Sequence, residues 1–250
     1  MASPHIGKVA IVTGASRNLG RATAEMLAAE GTSVVVHYHD SARKAEADQV
    51  AHDIREQGGE GNAVVEQADL TKVQEVEGLF ERTVERFGRL DILVNTSGMV
   101  IKKPLVEYSE SEYDRLFAVN AKAAFFCMRE AAKRMENEGR IISVVTTILA
   151  ATMPMYAAYA GSKAPVEDFT RALAKEIAPR GITVNAIAPG PLNTSFYHSA
   201  ETPDSVARVT GANLLGEVRD VVPLIRFLAS PEARWITAQT IFINGGYMAR

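Results

Sequence analysis

The sequence predicts an α/β fold in which a parallel sheet is covered by helices on both faces, and three observations point to it. Short β-branched runs alternate with amphipathic stretches of helical length along the whole chain. The first run, Lys8-Val9-Ala10-Ile11-Val12-Thr13, passes through a small-residue turn at residues 14–20 into a helical stretch at 21–30. The residues able to do chemistry (Gly14, Asp69, Asn95, Thr146 and Pro189) recur just after such runs, where ligands bind in open parallel sheets.

The strand around Val9 is apolar throughout, as expected of a strand buried on both faces. Further strands are predicted at 34–36, 63–66, 92–94, 141–145, 183–186 and 240–243, mainly seven in parallel, with helices filling the gaps. Residues 141–162 carry no charge, but Thr146, Thr147, Thr152 and Pro154 interrupt them, so a buried strand, a loop and a helix start are expected rather than a membrane span. Pro165 would remove a helical hydrogen bond to Gly161, which predicts a local kink behind Lys163.

At 250 residues, 47% hydrophobic and 23% charged, the chain suits one well-buried domain over residues 1–250, without repeats, low-complexity tracts or linkers. A formal charge of −3 gives no ground for nucleic acid or an anionic membrane as partner, and small molecules are expected instead. Only about seven residues precede the first strand, too few for a signal peptide, so a cytoplasmic location is expected. Cys127 is the only cysteine; it reads as a packed helix residue, and neither a disulfide nor a metal site is expected.

The richest chemistry lies in Tyr159-Ala160-Gly161-Ser162-Lys163. A tyrosine and a lysine four apart on a helix share a face, so the ammonium is expected to lower the phenol from its usual pKa of ~10 and make it an acid or base near neutrality. Thr146 precedes Tyr159 by thirteen residues and offers a second hydroxyl, with Thr147 adjacent as the alternative. A strand, a tight turn and a helix N-terminus at 8–30 present free N–H groups and a positive dipole end to a phosphate, the arrangement that holds a dinucleotide.

Thr13-Gly14 with Gly20, Asp69, Asn95 to Gly98, Asn120, the Tyr159/Lys163 pair, and Pro189-Gly190 with Thr194 follow one another in an order that resembles the short-chain dehydrogenase/reductase family. The likeness covers roughly residues 7–246 and is closest to the 3-oxoacyl-carrier-protein and polyhydroxynaphthalene reductase branches. It implies a Rossmann-type doubly wound sheet and an oxidoreductase that reduces a ketone to a secondary alcohol. Tyr159 would then supply the proton, Thr146 would polarise the carbonyl, and Asn120 would hold a water leading from Lys163 to solvent. Cofactor binding is implied for Gly14, Ser16, Arg17, Asn18, Leu19 and Gly20 in the phosphate turn, and for Tyr38, Asp69, Leu70, Asn95, Ser97 and Gly98 around the adenosine. Pro189, Gly190, Leu192 and Thr194 would meet the nicotinamide, together with Tyr159 and Lys163. Asp69 has an alternative reading as a helix cap, and Asn95 and Thr194 as turn residues.

NADP(H) is favoured over NAD(H), because residues 34–36 lead into His37 and Tyr38 rather than a ribose-binding carboxylate, and Arg17 resembles the arginine that meets a 2′-phosphate. Asp40, slightly further on, argues the other way. The chain departs from the family in Thr146, where serine is usual, and in Asn18, which replaces a turn glycine but tolerates left-handed geometry. Residues 195–217 are expected to form a substrate lid, with Phe196, Tyr197, Met153, Met155, Tyr156 and Val100 as an apolar wall without a lysine or arginine cluster. The substrate would be an aromatic or alicyclic ketone or a 3-oxoacyl thioester. An NAD-dependent alcohol dehydrogenase of the same fold and a cofactor-sensing binding protein are the alternatives. A homo-oligomer, most readily a tetramer, is implied through the helices at 115–135 and 167–179.

Overall fold

The computed structural model describes residues 5–58, 63–151 and 153–248, leaving Thr152 outside the described residues. Seven strands, β1 (Val9–Thr13), β2 (Ser33–Tyr38), β3 (Ala63–Gln67), β4 (Ile92–Asn95), β5 (Arg140–Val144), β6 (Thr183–Pro189) and β7 (Thr240–Ile243), form one sheet in the order β3-β2-β1-β4-β5-β6-β7. All six pairings are parallel. The order reverses between β1 and β4, which opens a crevice at their carboxyl ends.

Alternation along the central strands explains why both faces are covered. Ala10, Val12, Val34 and Val36 point into one core with Ala24 and Leu27 of α1 (Asn18–Ala29), Val50 of α2 (Lys44–Gly58), and Val221 and Ile225 of α10 (Val218–Ala229). Ile11, Val35 and Leu93 point into the other, against Leu79 and Phe80 of α3 (Val73–Phe87), Cys127 and Met128 of α5 (Ala123–Arg134), and Val166 and Ala174 of α7 (Pro165–Glu176). Burial pushes the Cys127 thiol up to about 12, which leaves it an inert core residue. No described helix is long and apolar enough to cross a membrane.

Three local features depart from the periodicity. The first helix begins at Asn18, not at 21, because the phosphate turn itself supplies the first helical residues. Between α4 (Glu110–Phe117) and α5, residues 118–122 form a turn of π-helix, and this bulge carries Asn120 into the interior. The helix carrying Tyr159, α6 (Ala157–Lys163), is interrupted at Ala164, yet Ala164 keeps helical angles (φ −57°, ψ −43°). Pro165 thus becomes the first residue of α7, a position proline favours, and it offers no N–H to the Gly161 carbonyl.

Close packing at the β1–α1 junction admits no side chain at Gly20. A Cβ there would lie 2.3 Å from the Gly14 carbonyl oxygen and 2.6 Å from Thr96 Oγ1. Gly20→Ala is therefore expected to cost about 1–3 kcal/mol through overpacking, read as a fall in Tm. An unchanged Tm would show that the junction is looser than this packing.

Candidate active site

The site is assembled on three adjacent strand ends. Thr13, Asn95 and Ser143 lie in register across β1, β4 and β5. Thr13 Oγ1 accepts from the N–H groups of Thr96 (3.1 Å) and Ser97 (3.2 Å), and the Thr96 hydroxyl returns a hydrogen bond to the Thr13 carbonyl. Asn95 Nδ2 donates to Ser143 Oγ at 3.1 Å. These bonds pin the loop after β4 beside the turn after β1. Thr96 was not among the expected site residues, and its repeated small polar neighbours in Asn95-Thr96-Ser97 were the only signal for it.

The turn after β1 is held from the other side by His37. Gly14, at φ +66°, donates its N–H to His37 Nδ1 at 3.1 Å, and Ala15 donates to the His37 carbonyl at 2.8 Å. With Nδ1 accepting, Nε2 carries the proton and donates to the Ala68 carbonyl at 3.0 Å. Burial, opposed only in part by that bond, brings the His37 pKa down to about 4, so the ring is neutral. Asn18 adopts φ +50°, the left-handed geometry that asparagine tolerates, and its side chain turns to Ser195 at 3.1 Å. Gly14 turns the backbone ahead of α1, whose leading N–H groups lack intrahelical acceptors, and Gly20 lets that turn pack against the helix. Such a cradle fits a pyrophosphate.

Opposite it stand the residues for proton transfer. Tyr159 is 7% exposed and Lys163 4%. Burial pushes the Tyr159 phenol up to about 12, against a hydrogen bond from Thr146 that acts the other way. Burial also brings Lys163 down to about 8, and its Nζ donates to the Val144 carbonyl at 2.9 Å. The expected lowering of the tyrosine by Lys163 is thus reversed here, since desolvation dominates the phenol and the lysine nitrogen is turned to a backbone acceptor. The two hydroxyls differ in their partners: Thr147 Oγ1 accepts from Asn244 Nδ2 at 2.5 Å, whereas Thr146 Oγ1 accepts from the Ile148 N–H at 3.4 Å and acts on the Tyr159 phenol. Asn120 does not reach the cleft surface. Its amide bridges the Met99 N–H and carbonyl (both 2.9 Å) and Ser162 Oγ (2.9 Å), bracing the wall behind Lys163. A Cβ on Gly98 would meet Lys163 Nζ at 3.1 Å and Asn120 Oδ1 at 3.2 Å, so that glycine lets the three groups converge.

These residues surround one cleft of about 710 Å³ that runs from the phosphate turn past Tyr159 to Phe196 and Tyr247. A family model described as enoyl-(acyl carrier protein) reductase matches residues 14–248. A short-chain type dehydrogenase/reductase of Picea abies is 42% identical over 96% of this chain and 92% of its own length. The chain belongs to the short-chain dehydrogenase/reductase family. A hydroxynaphthalene reductase-like protein of Metarhizium majus is 39% identical over 96% of this chain and 94% of its own. The crystal structure of a Burkholderia cenocepacia protein with bound NADP, described as a putative dehydrogenase, matches with a TM-score of 0.94 at 45% identity, over 100% of this chain and 97% of that one. The protein is an NAD(P)-dependent dehydrogenase/reductase.

Within this dehydrogenase/reductase, Ser16, Arg17, Leu19, Tyr38, Asp69, Leu70, Ser97, Pro189, Gly190, Leu192 and Thr194 all line the cleft, as expected. Asn95 does not; its Oδ1 is buried without a hydrogen-bond partner among the described residues. Asp69 Oδ1 accepts from the N–H (3.0 Å) and hydroxyl (2.7 Å) of Thr71, a turn closure ahead of α3 rather than a cap on it. Thr194 caps α8 (Ser195–His198), accepting from the Tyr197 N–H at 3.3 Å, so its hydroxyl serves the turn. Asp40, the residue that argued for NAD(H), accepts from the Ala42 N–H at 2.9 Å and caps the short helical turn at Ser41–Arg43. Arg43 then enters the cleft near Tyr38, a second guanidinium that sequence reasoning missed because only the turn at 41–43 brings it round. On the substrate side Met153, Tyr156, Phe196, Tyr197 and Val100 line the wall, whereas Met155 is 42% exposed and lies outside it. Lys102 and Arg115 also line the cleft, contrary to the expected purely apolar wall.

The buried His37 carries a pH signature. Its folded pKa of about 4 lies below the ordinary histidine value of about 6.5, so the unfolded chain binds the extra proton between them. Stability from this residue is complete above pH ~6.5 and is lost as pH falls towards 4, by about 3 kcal/mol in all. His37→Gln is expected to unfold with a shallower dependence over that window than the parent protein. Parallel stability–pH curves would contradict the assignment of a buried neutral ring.

Proposed function

We propose that the protein is an NADP(H)-dependent ketone reductase in which Tyr159 is the proton donor. The observation that carries this reading is a buried Tyr159 phenol that shares one wall of a dinucleotide-sized cleft with Thr146 and with Lys163 one helical turn away. A nicotinamide cofactor would supply the hydride that adds to the carbonyl carbon. With its pKa near 12 the phenol is fully protonated at neutral pH, as a donor to the carbonyl oxygen must be. Thr146 would hold that oxygen by a second hydrogen bond and fix its distance from Tyr159. The phenolate left behind would be stabilised by the Lys163 ammonium, which needs only to leave the Val144 carbonyl to approach it. Hydride and proton together convert the ketone to a secondary alcohol.

Arg17 and Arg43 line the cleft and support NADP(H), since guanidiniums suit a 2′-phosphate, while Arg43 also pairs with Glu46 and Asp40 caps the turn beside it. The left-handed Asn18 is compatible with the phosphate turn, and the presence of Tyr159, Lys163 and Asn120 favours an enzyme over a binding protein without turnover. Residues 195–217, with α8 and α9 (Pro203–Gly211), would act as the lid, tied to the phosphate turn through Ser195. The substrate class this wall suits is an aromatic or alicyclic ketone, in keeping with the name of the Metarhizium relative. Subunits would pair through α5 and α7, where Phe125 is 44% exposed and edge-on to Phe169, and a tetramer is the expected mass by light scattering.

Tyr159→Phe is expected to lower ketone turnover about 10²–10⁴-fold while still binding NADPH, and Thr146→Val about 10²–10³-fold, with Thr147→Val affecting turnover far less. Full turnover in Tyr159→Phe would remove the proposed acid. Arg17→Ala is expected to weaken NADPH about tenfold or more, the worth of a charge-assisted contact, and to leave NADH unchanged in a paired fluorescence titration. Equal binding of both cofactors by the unaltered protein would turn the reading to an NAD-dependent dehydrogenase.

A further inference from the structure

The substrate end of the cleft contains a charged cluster that the proton-transfer residues do not use. Glu201, between α8 and α9, has a side chain only 4% exposed. One of its oxygens accepts from Lys102 Nζ at 2.5 Å and the other from the Tyr156 hydroxyl. Lys102, in the loop after β4, is 19% exposed and sits 5.1 Å over the Tyr156 ring. The Tyr156 ring in turn lies 6.0 Å from that of Tyr159. Three separate segments therefore meet, through two opposite charges, one aromatic ring away from the proton donor.

Burial alone would push the Glu201 carboxyl up, but hydrogen bonds from Lys102, Ser205 and Tyr156 outweigh it and hold the group ionised below its usual range. Burial, reinforced by the bond to Glu201, pushes the Tyr156 phenol well above its ordinary range, which keeps it protonated and leaves Tyr159 as the phenol free to face a carbonyl. The pair is balanced: neither charge is in excess while both partners are present. Arg115 also reaches the cleft but is exposed, where water and salt screen it. The buried Tyr197 hydroxyl has no hydrogen-bond partner among the described residues and belongs to the same wall. A carboxylate or ammonium on a substrate would compete with one member of the pair and strand the other in a site with little water, whereas a neutral hydroxyl can both donate to the carboxylate and accept from the ammonium.

We propose that Lys102 and Glu201 are specificity-determining residues that restrict the cleft to uncharged carbonyl compounds carrying a neutral polar group remote from the carbonyl. This rests on the ketone-reductase reading for the identity of the reacting group, but charge selection is readable by binding alone. The test uses three aryl ketones of equal size that differ only in a remote hydroxymethyl, carboxylate or aminomethyl group. Their binding to the NADPH-loaded protein is followed by quenching of nicotinamide fluorescence, and their turnover by loss of nicotinamide absorbance. The unaltered protein is expected to bind the hydroxymethyl ketone tightest. Glu201→Gln should move the preference towards the carboxylate, and Lys102→Met towards the amine, each by about tenfold or more, because a cleft charge then lacks its partner. The double variant, neutral again, should return to the hydroxymethyl ketone, and it tests the pairing even where one single variant fails to fold. Equal scaling of all three ketones across the variants would overturn the proposal and leave the pair a structural tie. Charge-selective binding without turnover would uphold it while removing the reductase reading.

Discussion

Three adjacent parallel strands end within one register step of each other, and nearly every group with chemistry in this protein depends on that coincidence. A parallel sheet directs all its carboxyl ends to one edge, so the turns after β1, β4 and β5 must share the same space. Thr13 resolves the crowding by accepting two backbone N–H groups from the β4 loop while receiving a hydroxyl bond at its own carbonyl. Asn95 and Ser143 stitch the next pair. With those edges fixed, Gly98 can lie against Lys163 and Asn120, and the phosphate turn can rest on His37. None of these bonds is strong alone; together they satisfy buried polar groups that would otherwise be costly.

The same burial that organises the site sets its acid–base character. Desolvation raises Tyr159 and lowers Lys163, so both shifts favour the uncharged forms. A protonated phenol beside a lysine whose pKa lies near 8 is a pair poised to give one proton and then welcome a charge. In the proposed reaction the lysine would act on the phenolate that follows transfer rather than on the resting phenol. That order would differ from simple depression of the tyrosine pKa, and it would start from a lysine nitrogen held by the Val144 carbonyl.

Much of this was legible in the sequence because periodicity and order carry it. The seven strands, the glycine turn, and the Tyr159/Lys163 pair each have a local signature, and Asn18 adopts the left-handed angle its residue type allows. What escaped was long-range. Nothing near Asp40 in sequence says that its carboxylate caps a short turn and swings Arg43 into the cleft. Lys102 and Glu201 are 99 residues apart and meet only because the segment after β6 folds over the loop after β4. Asn120 was expected to hold a water leading from Lys163 to solvent; its amide instead braces Met99 and Ser162, a use invisible without the π-helical turn. Asp69 and Thr194 both line the cleft while their short side chains also reach neighbouring N–H groups, Asp69 closing a turn ahead of α3 rather than capping it, and Thr194 capping α8.

The central claim is that this cleft transfers a hydride from NADPH to a ketone and a proton from Tyr159. The most direct measurement supplies NADPH carrying deuterium at its transferable position together with a neutral bicyclic aryl ketone, and locates the label in the product by mass spectrometry and NMR. One deuterium on the carbinol carbon, with one cofactor oxidised per alcohol formed, is the result this account predicts. Binding of NADPH with no alcohol formed, or an alcohol whose carbinol hydrogen comes from solvent, would contradict it.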